Sequence, residues 1–153
     1  MPDVTAAFRS DSQLIHHEHQ ALSSELAALE FALDSLICYS EVLTNMAATE
    51  RVYRCGRHLA RTLPVHFENE EATVLAEIAR LSPELNKFSE EMKRQHQELR
   101  QQMTRFWLLV DQIEGSSDME QAVSEVKERG LQFARALAAH MEAEERKFAS
   151  IAH

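Results

Sequence analysis

Histidines are the chemically informative residues of this chain, because imidazole is the commonest metal ligand among protein side chains. There are eight of them among 153 residues. Two are followed by a glutamate four residues later: His66 by Glu70, and His140 by Glu144. On a helix this spacing puts both side chains on one face, where an imidazole nitrogen and a carboxylate oxygen could bind one metal ion. A single such pair is common on helix surfaces, but two copies in one chain are far more specific.

Four stretches of the chain carry apolar residues at alternating spacings of three and four, the pattern of a helix with one buried face. They predict helices over about residues 11–40, 46–80, 83–114 and 118–151. Ionisable residues of metal-binding type interrupt these stripes in phase with the buried face. They are His19, His66, Glu70, His96, His140 and Glu144. The pattern therefore places six ionisable side chains in the predicted core.

Turn signals separate the predicted helices. Ser82 followed by Pro83 is typical of a helix N-terminus, because serine caps the first turn and proline suits the first helical position. Ser117 with Glu120 three residues later forms a capping box. The first turn carries no comparable signal, and we place it near residues 40–45.

The composition favours an all-helical protein. Three glycines and three prolines are present, fewer than a sheet protein with many turns requires. Long helices joined by short connections pack as antiparallel neighbours. The sequence therefore predicts an all-α fold, an antiparallel up-down four-helix bundle, with residues 1–153 as a single domain. Pro64 should kink the second helix just before His66, because proline removes a backbone donor.

Six ionisable groups in one small core need a strong common partner. Burying such a group alone costs several kcal/mol, while the whole stability of a domain is roughly 5–15 kcal/mol. In an up-down bundle, residues at one height on consecutive helices lie symmetrically about the connecting turn.

The midpoint of His66 and His96 is residue 81, and that of His96 and His140 is residue 118, each beside a cap. The midpoint of His19 and His66 lies between residues 42 and 43, inside the first turn as we place it. The four histidines therefore share one height, and the six residues predict a two-metal site inside the bundle.

Charge and hydropathy exclude several classes of protein. The formal net charge of −9 argues against a nucleic acid or an anionic membrane as partner. No run of eighteen apolar residues exists that could span a membrane, and the first ten residues do not read as a secretory signal. We therefore expect a cytoplasmic protein. Two cysteines are too few for a disulfide framework or a thiolate metal site.

These residues resemble the hemerythrin-like family, also called the HHE cation-binding domain, from about Leu14 to Phe148. The resemblance is carried by Glu18-His19, the His-Phe-x-x-Glu-Glu run from His66 to Glu71, His96-Gln-Glu-Leu99, and His140-x-x-x-Glu-Glu145. It implies a centre of two iron ions, oxo- or hydroxo-bridged, with the two in-phase glutamates bridging and the histidines as terminal ligands. Without the resemblance, nitrogen and carboxylate ligands would equally admit manganese or zinc.

The chain departs from the oxygen-carrying members of that family. Those proteins have a further histidine one turn after the third-helix histidine, where this chain has Arg100. They commonly use an aspartate five residues after the last histidine, where Glu144 stands at four and Glu145 at five. Four histidines and two glutamates are more similar to the branch associated with repair of iron centres under nitric oxide stress. That branch typically has an additional N-terminal cysteine-containing domain, which we do not expect here.

The ligand set favours a site that accepts small molecules. Two histidines per iron, two bridging glutamates and a bridging oxide leave one open position on each six-coordinate iron. We therefore expect a protein that binds or reacts with dioxygen or nitric oxide in sensing, storage or stress defence. The alternatives are an iron-repair or iron-donating protein of nitrosative stress, and a di-iron oxidase or peroxidase. A ferritin-like site is disfavoured, because it places histidine three residues after glutamate.

The other polar residues near the motifs are expected at the surface. His16 lies one turn before His19 and could assist or replace it. His17, His58 and His153 do not lie at the positions predicted for the metal ligands. Glu71 and Glu145 are rotated off the buried face and are expected to be solvated.

Overall fold

The computed structural model describes residues 6–36, 42–113 and 115–152. Its regular elements are helical: α1 Ala6–Asp34, α2 Val42–Ala72, α3 Val74–Ala79, α4 Pro83–Gln112 and α5 Met119–Ala152. Only Thr73 separates α2 from α3, so the two segments form the second of four helices. The predicted all-α class is confirmed.

The helices pack in a closed ring that follows their order in the chain. The first helix packs against α2 and α5, and α4 packs against α5 and against the α2–α3 helix. Helices that are consecutive in the chain are thus neighbours in space, and the last contacts the first. This arrangement is the predicted antiparallel up-down four-helix bundle.

The helix starts follow local capping chemistry. Ser82 caps α4, its hydroxyl accepting a hydrogen bond from the Leu85 backbone N–H at 3.1 Å, and Pro83 is the first helical residue, as predicted. The start of α5 differs from the prediction. The carboxylate of Asp118 accepts from the Gln121 N–H at 3.1 Å, so Asp118, rather than Ser117, caps this helix. A carboxylate is the stronger acceptor at the positive end of a helix.

The first turn lies earlier than the prediction placed it. The first helix ends at Asp34, and α2 already begins at Val42, so residues 42–45 are helical. Ser40 and Glu41 lie outside the described residues. This stretch has no glycine, proline or capping pair that would have marked the boundary in the sequence.

The second helix is interrupted after the candidate ligands. The helix continues through Pro64, and the break falls at Thr73. The Thr73 hydroxyl donates to the carbonyl of Asn69 at 2.7 Å, a back-bond that competes with the helical ladder and bends helices. His66 and Glu70 therefore sit on an unbroken stretch of helix.

Two apolar clusters fill the bundle, one on each side of a polar layer. The larger contains Leu22, Leu63, Phe67, Leu99, Leu137 and Met141 among its members. The smaller consists of Phe8, Ile15, Val74, Leu75, Ile78, Met92 and Phe148. On each of the four helices, the candidate ligands lie in sequence between members of the two clusters. The ligands are thus enclosed by apolar side chains above and below.

Gly130 marks a close approach of helices within the larger cluster. A Cβ at this position would lie 2.6 Å from Leu33 Cδ1 and 2.8 Å from Phe106 Cε2. By contrast, a Cβ on Gly115 would meet nothing within 4 Å. The tight packing at Gly130 requires a residue without a side chain.

We expect Gly130→Ala to destabilise the protein by up to about 2 kcal/mol, because the cost of overpacking exceeds the gain in helix propensity. Urea denaturation followed by circular dichroism measures the change. Gly115→Ala is the matched control and should shift the free energy of unfolding by less than about 0.5 kcal/mol. A more stable Gly130→Ala protein would contradict this packing.

Candidate metal centre

The six side chains predicted as ligands lie together in the layer between the two apolar clusters. The exposed fraction of each residue is 4% or less. They come from α1, α2, α4 and α5, so every long helix of the bundle contributes. These residues are far apart in the sequence. They meet because the four histidines lie at one height on their helices.

The histidines form two pairs. The ring centroids of His19 and His66 are 4.9 Å apart, and those of His96 and His140 are 4.7 Å apart. Ligand atoms of His19, His66 and Glu70 lie within 4.8 Å of one another, and so do those of the set His96, His140, Glu70 and Glu144. Glu70 belongs to both groups.

Each buried carboxylate approaches both histidine pairs. Glu70 lies 2.6 Å from His66 Nε2 and 3.6 Å from His96 Nε2. Glu144 lies 2.9 Å from His140 Nε2 and 3.5 Å from His19 Nε2. Because both carboxylates reach across the layer, each can offer one oxygen to either half.

Three of the histidines donate a hydrogen bond from their outward-facing Nδ1 to a carboxylate. His19 Nδ1 lies 2.7 Å from Glu145, His66 Nδ1 lies 2.9 Å from Glu18, and His96 Nδ1 lies 2.8 Å from Glu71. An ionised carboxylate only accepts hydrogen bonds, so each Nδ1 carries the proton. In the neutral rings, the lone pair is therefore on Nε2, which faces the layer.

The fourth histidine has a neutral outer partner. His140 Nδ1 lies 2.8 Å from the amide oxygen of Gln95. The amide nitrogen of Gln95 donates to Glu91 at 3.1 Å, and this bond fixes which end of the amide faces His140. His140 is therefore also protonated on Nδ1, and its Nε2 also faces inward.

The inward-facing atoms have no hydrogen-bond partner within the described part of the chain. These are Nε2 of all four histidines and both carboxylate oxygens of Glu70 and of Glu144. His66 Nε2 approaches Glu70 at 2.6 Å, but this contact does not have hydrogen-bond geometry. Buried polar atoms are rarely left unsatisfied. Four nitrogens and four oxygens converging in this way fit a bound metal.

In the metal-free protein, protons balance the buried charge. Burial lowers the pKa of His19, but a proton on its Nε2 would face the carboxylates of Glu144 and Glu70, and their attraction outweighs burial and raises the pKa to about 10. The pKa of His66 is raised against its burial, chiefly by Glu70. Burial lowers the pKa of His96 and of His140 to about 4.

The pKa values of the two buried glutamates shift in opposite directions. Burial and the negative charge of Glu70 raise the pKa of Glu144 well above its ordinary value. Burial raises the pKa of Glu70, but attraction to protonated His19 and His66, which face it, outweighs burial and holds the pKa well below its ordinary value. The raised pKa of His19 keeps this ring protonated at neutral pH in the metal-free layer, and the opposite pKa shifts of the two glutamates favour the negative charge on Glu70 over Glu144.

Phe67 forms an apolar wall against the layer. Its ring stacks on His96 with centroids 4.0 Å apart and planes at 13°, and it meets His140 edge-on at 6.0 Å. The guanidinium of Arg100 lies 5.5 Å from the Phe67 ring centroid. Arg100 thus packs over Phe67.

The remaining histidines lie outside the layer. His16 Nδ1 donates to Glu145 at 3.0 Å, and half of the His16 side chain is exposed, so His16 lies outside the layer and is linked to His19 only through that glutamate. His17 is exposed. His58 is exposed and contacts Glu25 at 2.7 Å. His153 lies outside the described residues.

Sequence reasoning missed the outer partners of the histidines. Glu71 and Glu145, expected to be solvated, are about one third exposed and hold His96 and His19. Each lies five residues after a ligand histidine and reaches the histidine of a neighbouring helix. In the sequence, each of these two residues directly follows a candidate ligand glutamate. The helical phase of one helix, however, cannot show which neighbouring helix a side chain will contact. Gln95 had no signal of its own.

Comparison with known families identifies one match. The model of the hemerythrin HHE cation binding domain matches residues 10–152, nearly the whole chain. No curated protein and no solved structure matches the chain. None of the described helices is long and apolar enough to cross a membrane.

We expect Glu71→Ala to weaken metal binding about 10–100-fold, because an outer partner fixes the tautomer and orientation of its histidine. Competition with a chromophoric chelator measures the affinity. Glu68→Ala is the control on the same helix, since Glu68 is exposed, and should bind metal as the unmodified protein does. Equal affinities for the two variants would show that Glu71 does not support His96.

Metal uptake at pH 7 should release protons, because the pKa of about 10 keeps His19 protonated in the metal-free layer and a metal ion displaces protons from its ligands. The raised pKa keeps this proton bound up to pH values well above 7, so the proton competes with metal at neutral and lower pH, and apparent metal affinity should decrease towards acid. Anaerobic calorimetric titration of the metal-free protein, in two buffers with different ionisation enthalpies, detects the release. Identical binding enthalpies in both buffers would contradict it.

Proposed function

Because the chain belongs to the hemerythrin HHE cation-binding domain family, we propose that its polar layer holds two iron ions and binds or reacts with dioxygen or nitric oxide. The observation that carries this proposal is the set of inward-facing nitrogen and oxygen atoms without hydrogen-bond partners. A family of cation-binding domains supplies the reason to assign metal to them, and the pairing of the histidines supplies the reason to assign two ions.

The pairing suggests how the ligands divide. His19 and His66 would hold one ion, and His96 and His140 the other, in keeping with ring separations of 4.9 Å and 4.7 Å within each pair. Glu70 and Glu144 would each give one oxygen to each ion. Two nitrogens and two carboxylate oxygens suit iron, and they would also suit manganese or zinc. The choice of iron rests on the family.

The ligand count leaves room for a small molecule. A six-coordinate ion with two imidazoles and two carboxylate oxygens keeps two positions for other ligands, one of which a bridging oxide or hydroxide would take. When bound, such a pair supplies reversible one-electron chemistry and Lewis acidity. An ion pair with open positions in both halves favours reaction with diatomic molecules over simple reversible carriage.

The protein around the layer prepares it for this chemistry. The apolar clusters and Phe67 exclude bulk water, which strengthens the electrostatic interactions within the layer. The carboxylates on His19, His66 and His96 increase the electron donation of these imidazoles, which stabilises the oxidised ion. The helices that carry the ligands are packed at both ends, so the ligand positions are fixed before metal arrives.

A di-iron oxidase or peroxidase is the second candidate. Its support is the contact chain from His16 through Glu145 to His19, at 3.0 Å and 2.7 Å. This chain links solvent to a candidate ligand and would carry the protons that reduction of dioxygen or peroxide consumes. A role in iron donation or repair would show as labile iron, and no specific contact of this layer favours it.

Protein purified after expression with ample iron should contain two irons per chain and absorb in the near ultraviolet and visible. His66→Leu should lose most of the iron, because it removes a nitrogen from the layer. His58→Leu, on the same helix but at the surface, should retain it. Metal analysis and an optical spectrum decide this, and less than one iron per chain in the unmodified protein would defeat the proposal.

Exposure of the anaerobically reduced, iron-loaded protein to dioxygen or nitric oxide should change its optical spectrum. Continuous turnover of peroxide or of dioxygen with an added reductant would favour the enzyme candidate. A reduced protein that holds two irons and responds to neither gas would exclude the diatomic role while leaving the metal site intact.

A further inference from the structure

Between Gln13 and Phe31, the exposed face of α1 carries no acidic residue, lysine or arginine, although 27% of the chain is charged. The other long helices present charged side chains to solvent, among them Arg57 and Arg61 on α2, Glu98 and Arg105 on α4, and Glu128 and Arg135 on α5. Depletion of charge is characteristic of the core of a protein interface. The exposed face of α1 is therefore unlike the rest of the surface and resembles a surface that is covered in an assembly.

The acidic residues of this stretch of α1 do not point straight outward. The carboxylate of Glu18 lies 2.9 Å from Nδ1 of His66 on α2. The carboxylate of Glu25 accepts from Nε2 of His58, also on α2, at 2.7 Å. Glu30 is half-buried. The side chains that remain on the outward face are neutral, so a neutral surface could cover them without stripping water from a charge.

Six of these exposed residues form a stripe at spacings of three and four along α1. This α1 stripe consists of Leu14, His17, Ala21, Ser24, Ala28 and Phe31. Large apolar side chains stand at its two ends, where Leu14 is 58% and Phe31 is 68% exposed, and small side chains occupy its centre. The Ser24 hydroxyl donates to the carbonyl of Gln20 in its own helix at 3.2 Å, so covering it would leave no unsatisfied donor.

We propose that the α1 stripe is a dimer interface, in which α1 packs antiparallel against α1 of a second copy of the chain. The facing pairs are Leu14 with the partner's Phe31, His17 with the partner's Ala28, and Ala21 with the partner's Ser24. Small residues at the centre allow the two helices to approach closely, and the large side chains close the contact at both ends. The interface requires no metal in the polar layer and goes beyond the proposed function.

The charge of the chain favours a second copy as the occupant of this face. Because the formal net charge is −9, two copies repel each other wherever their acidic surfaces meet. The α1 face has no outward acidic residue, so two copies meet there with the least repulsion. A strongly acidic or basic partner, in contrast, would find no opposite charge on this face to bind.

The heights of the helices decide which charged residues lie beside the stripe. The contact of Glu25 with His58 sets the level of α2 against α1, and that of His16 with Glu145 sets the level of α5. In an antiparallel dimer, α2 lies beside α2 of the partner and α5 lies beside α5. Each flank of the stripe is thus formed by two copies of one helix that run in opposite directions.

These levels make the flanks complementary only in the antiparallel arrangement. Arg135 comes within about one helical turn of the level of the partner's Glu142, and Arg57 within about one turn of that of the partner's Glu68. Each opposite-charge pair occurs twice because of the two-fold symmetry. A parallel dimer would instead put Arg135 at the level of the partner's Arg57, where like charges repel. The flanking charges therefore support the antiparallel contact.

The size of the contact sets the expected affinity. From Leu14 to Phe31 the two helices would touch along about 26 Å of their axes, at a rise of 1.5 Å per residue. With the edges of α2 and α5, this contact buries on the order of 1,000 Å² in total, at the lower end of specific interfaces. We therefore expect a reversible dimer with a dissociation constant in the micromolar range.

Sedimentation velocity of the purified full-length chain over a range of concentrations is the first test, and the unmodified protein should dimerise. Ala21→Glu should weaken dimerisation at least 10-fold, because the two introduced carboxylates would lie about 4.5 Å apart along the helix axis. Ala139→Glu, the same exchange at an exposed alanine of α5, is the control and should dimerise as the unmodified protein does. A monomeric unmodified protein, or equal dimerisation of the two variants, would overturn the proposal.

Disulfide cross-linking tests the antiparallel arrangement and does not depend on the folding of Ala21→Glu. A mixture of His17→Cys and Ala28→Cys proteins should form a cross-linked dimer on oxidation, because these positions face each other. Either variant alone should not, since its two new cysteines would lie about 16 Å apart along the axis, too far for a disulfide. Unmodified protein, which has Cys38 and Cys55, is the control for the native thiols. Cross-linking of each variant alone would overturn the antiparallel contact.

Other occupants of the face would give different results. A monomeric protein that binds phosphatidylcholine vesicles, and loses this binding in Phe31→Ser, would assign the face to a lipid surface and overturn the dimer. Iron content separates the interface from the proposed function. A dimer without iron would defeat the proposed function and leave the interface standing, whereas an iron-loaded monomer would do the reverse.

Discussion

The cost of burying charge is the constraint on which this structure depends. Two carboxylates and four imidazoles occupy a layer that apolar clusters close on both sides. Such groups lose their hydration and must find partners. The outward nitrogens find them in Glu18, Glu71, Glu145 and Gln95, while the inward atoms converge on one another. Protons neutralise only part of this set of inward-facing atoms, whereas metal ions can bind all of them. The same groups therefore determine both the stability of the bundle and the chemistry of its centre.

Much of this arrangement was readable from the sequence, for a geometric reason. Helical phase fixes which residues face the core, and the position of the turns fixes their height. His66, His96 and His140 could be aligned because two turns carried strong signals, whereas the boundary of the first turn was placed too late. The capping residue of α5 was also missed, since Asp118 and Ser117 are adjacent and only the backbone geometry decides between them. The sequence has no signal for the break at Thr73, since Thr62 and Thr104 make the same hydroxyl bond to the carbonyl four residues earlier and their helices continue.

The contacts between helices were the part that sequence reasoning could not supply. The helical phase of a residue shows in which direction its side chain points from its own helix, but not which residue of a neighbouring helix it contacts. Glu71 and Glu145 point away from the histidines of their own helices and meet those of neighbouring ones. Gln95 is beside a ligand in sequence yet supports a different ligand on α5. These crossed contacts tie the four helices into a single network around the layer, and they make its two halves chemically unlike.

The polar layer also divides the molecule into two unequal parts. The smaller cluster joins α1, α3, the first half of α4 and the end of α5. It contains fewer buried apolar residues than the larger cluster, so fewer contacts resist its local opening. An opening confined to the smaller cluster would expose one face of the layer while the larger cluster kept the four helices together.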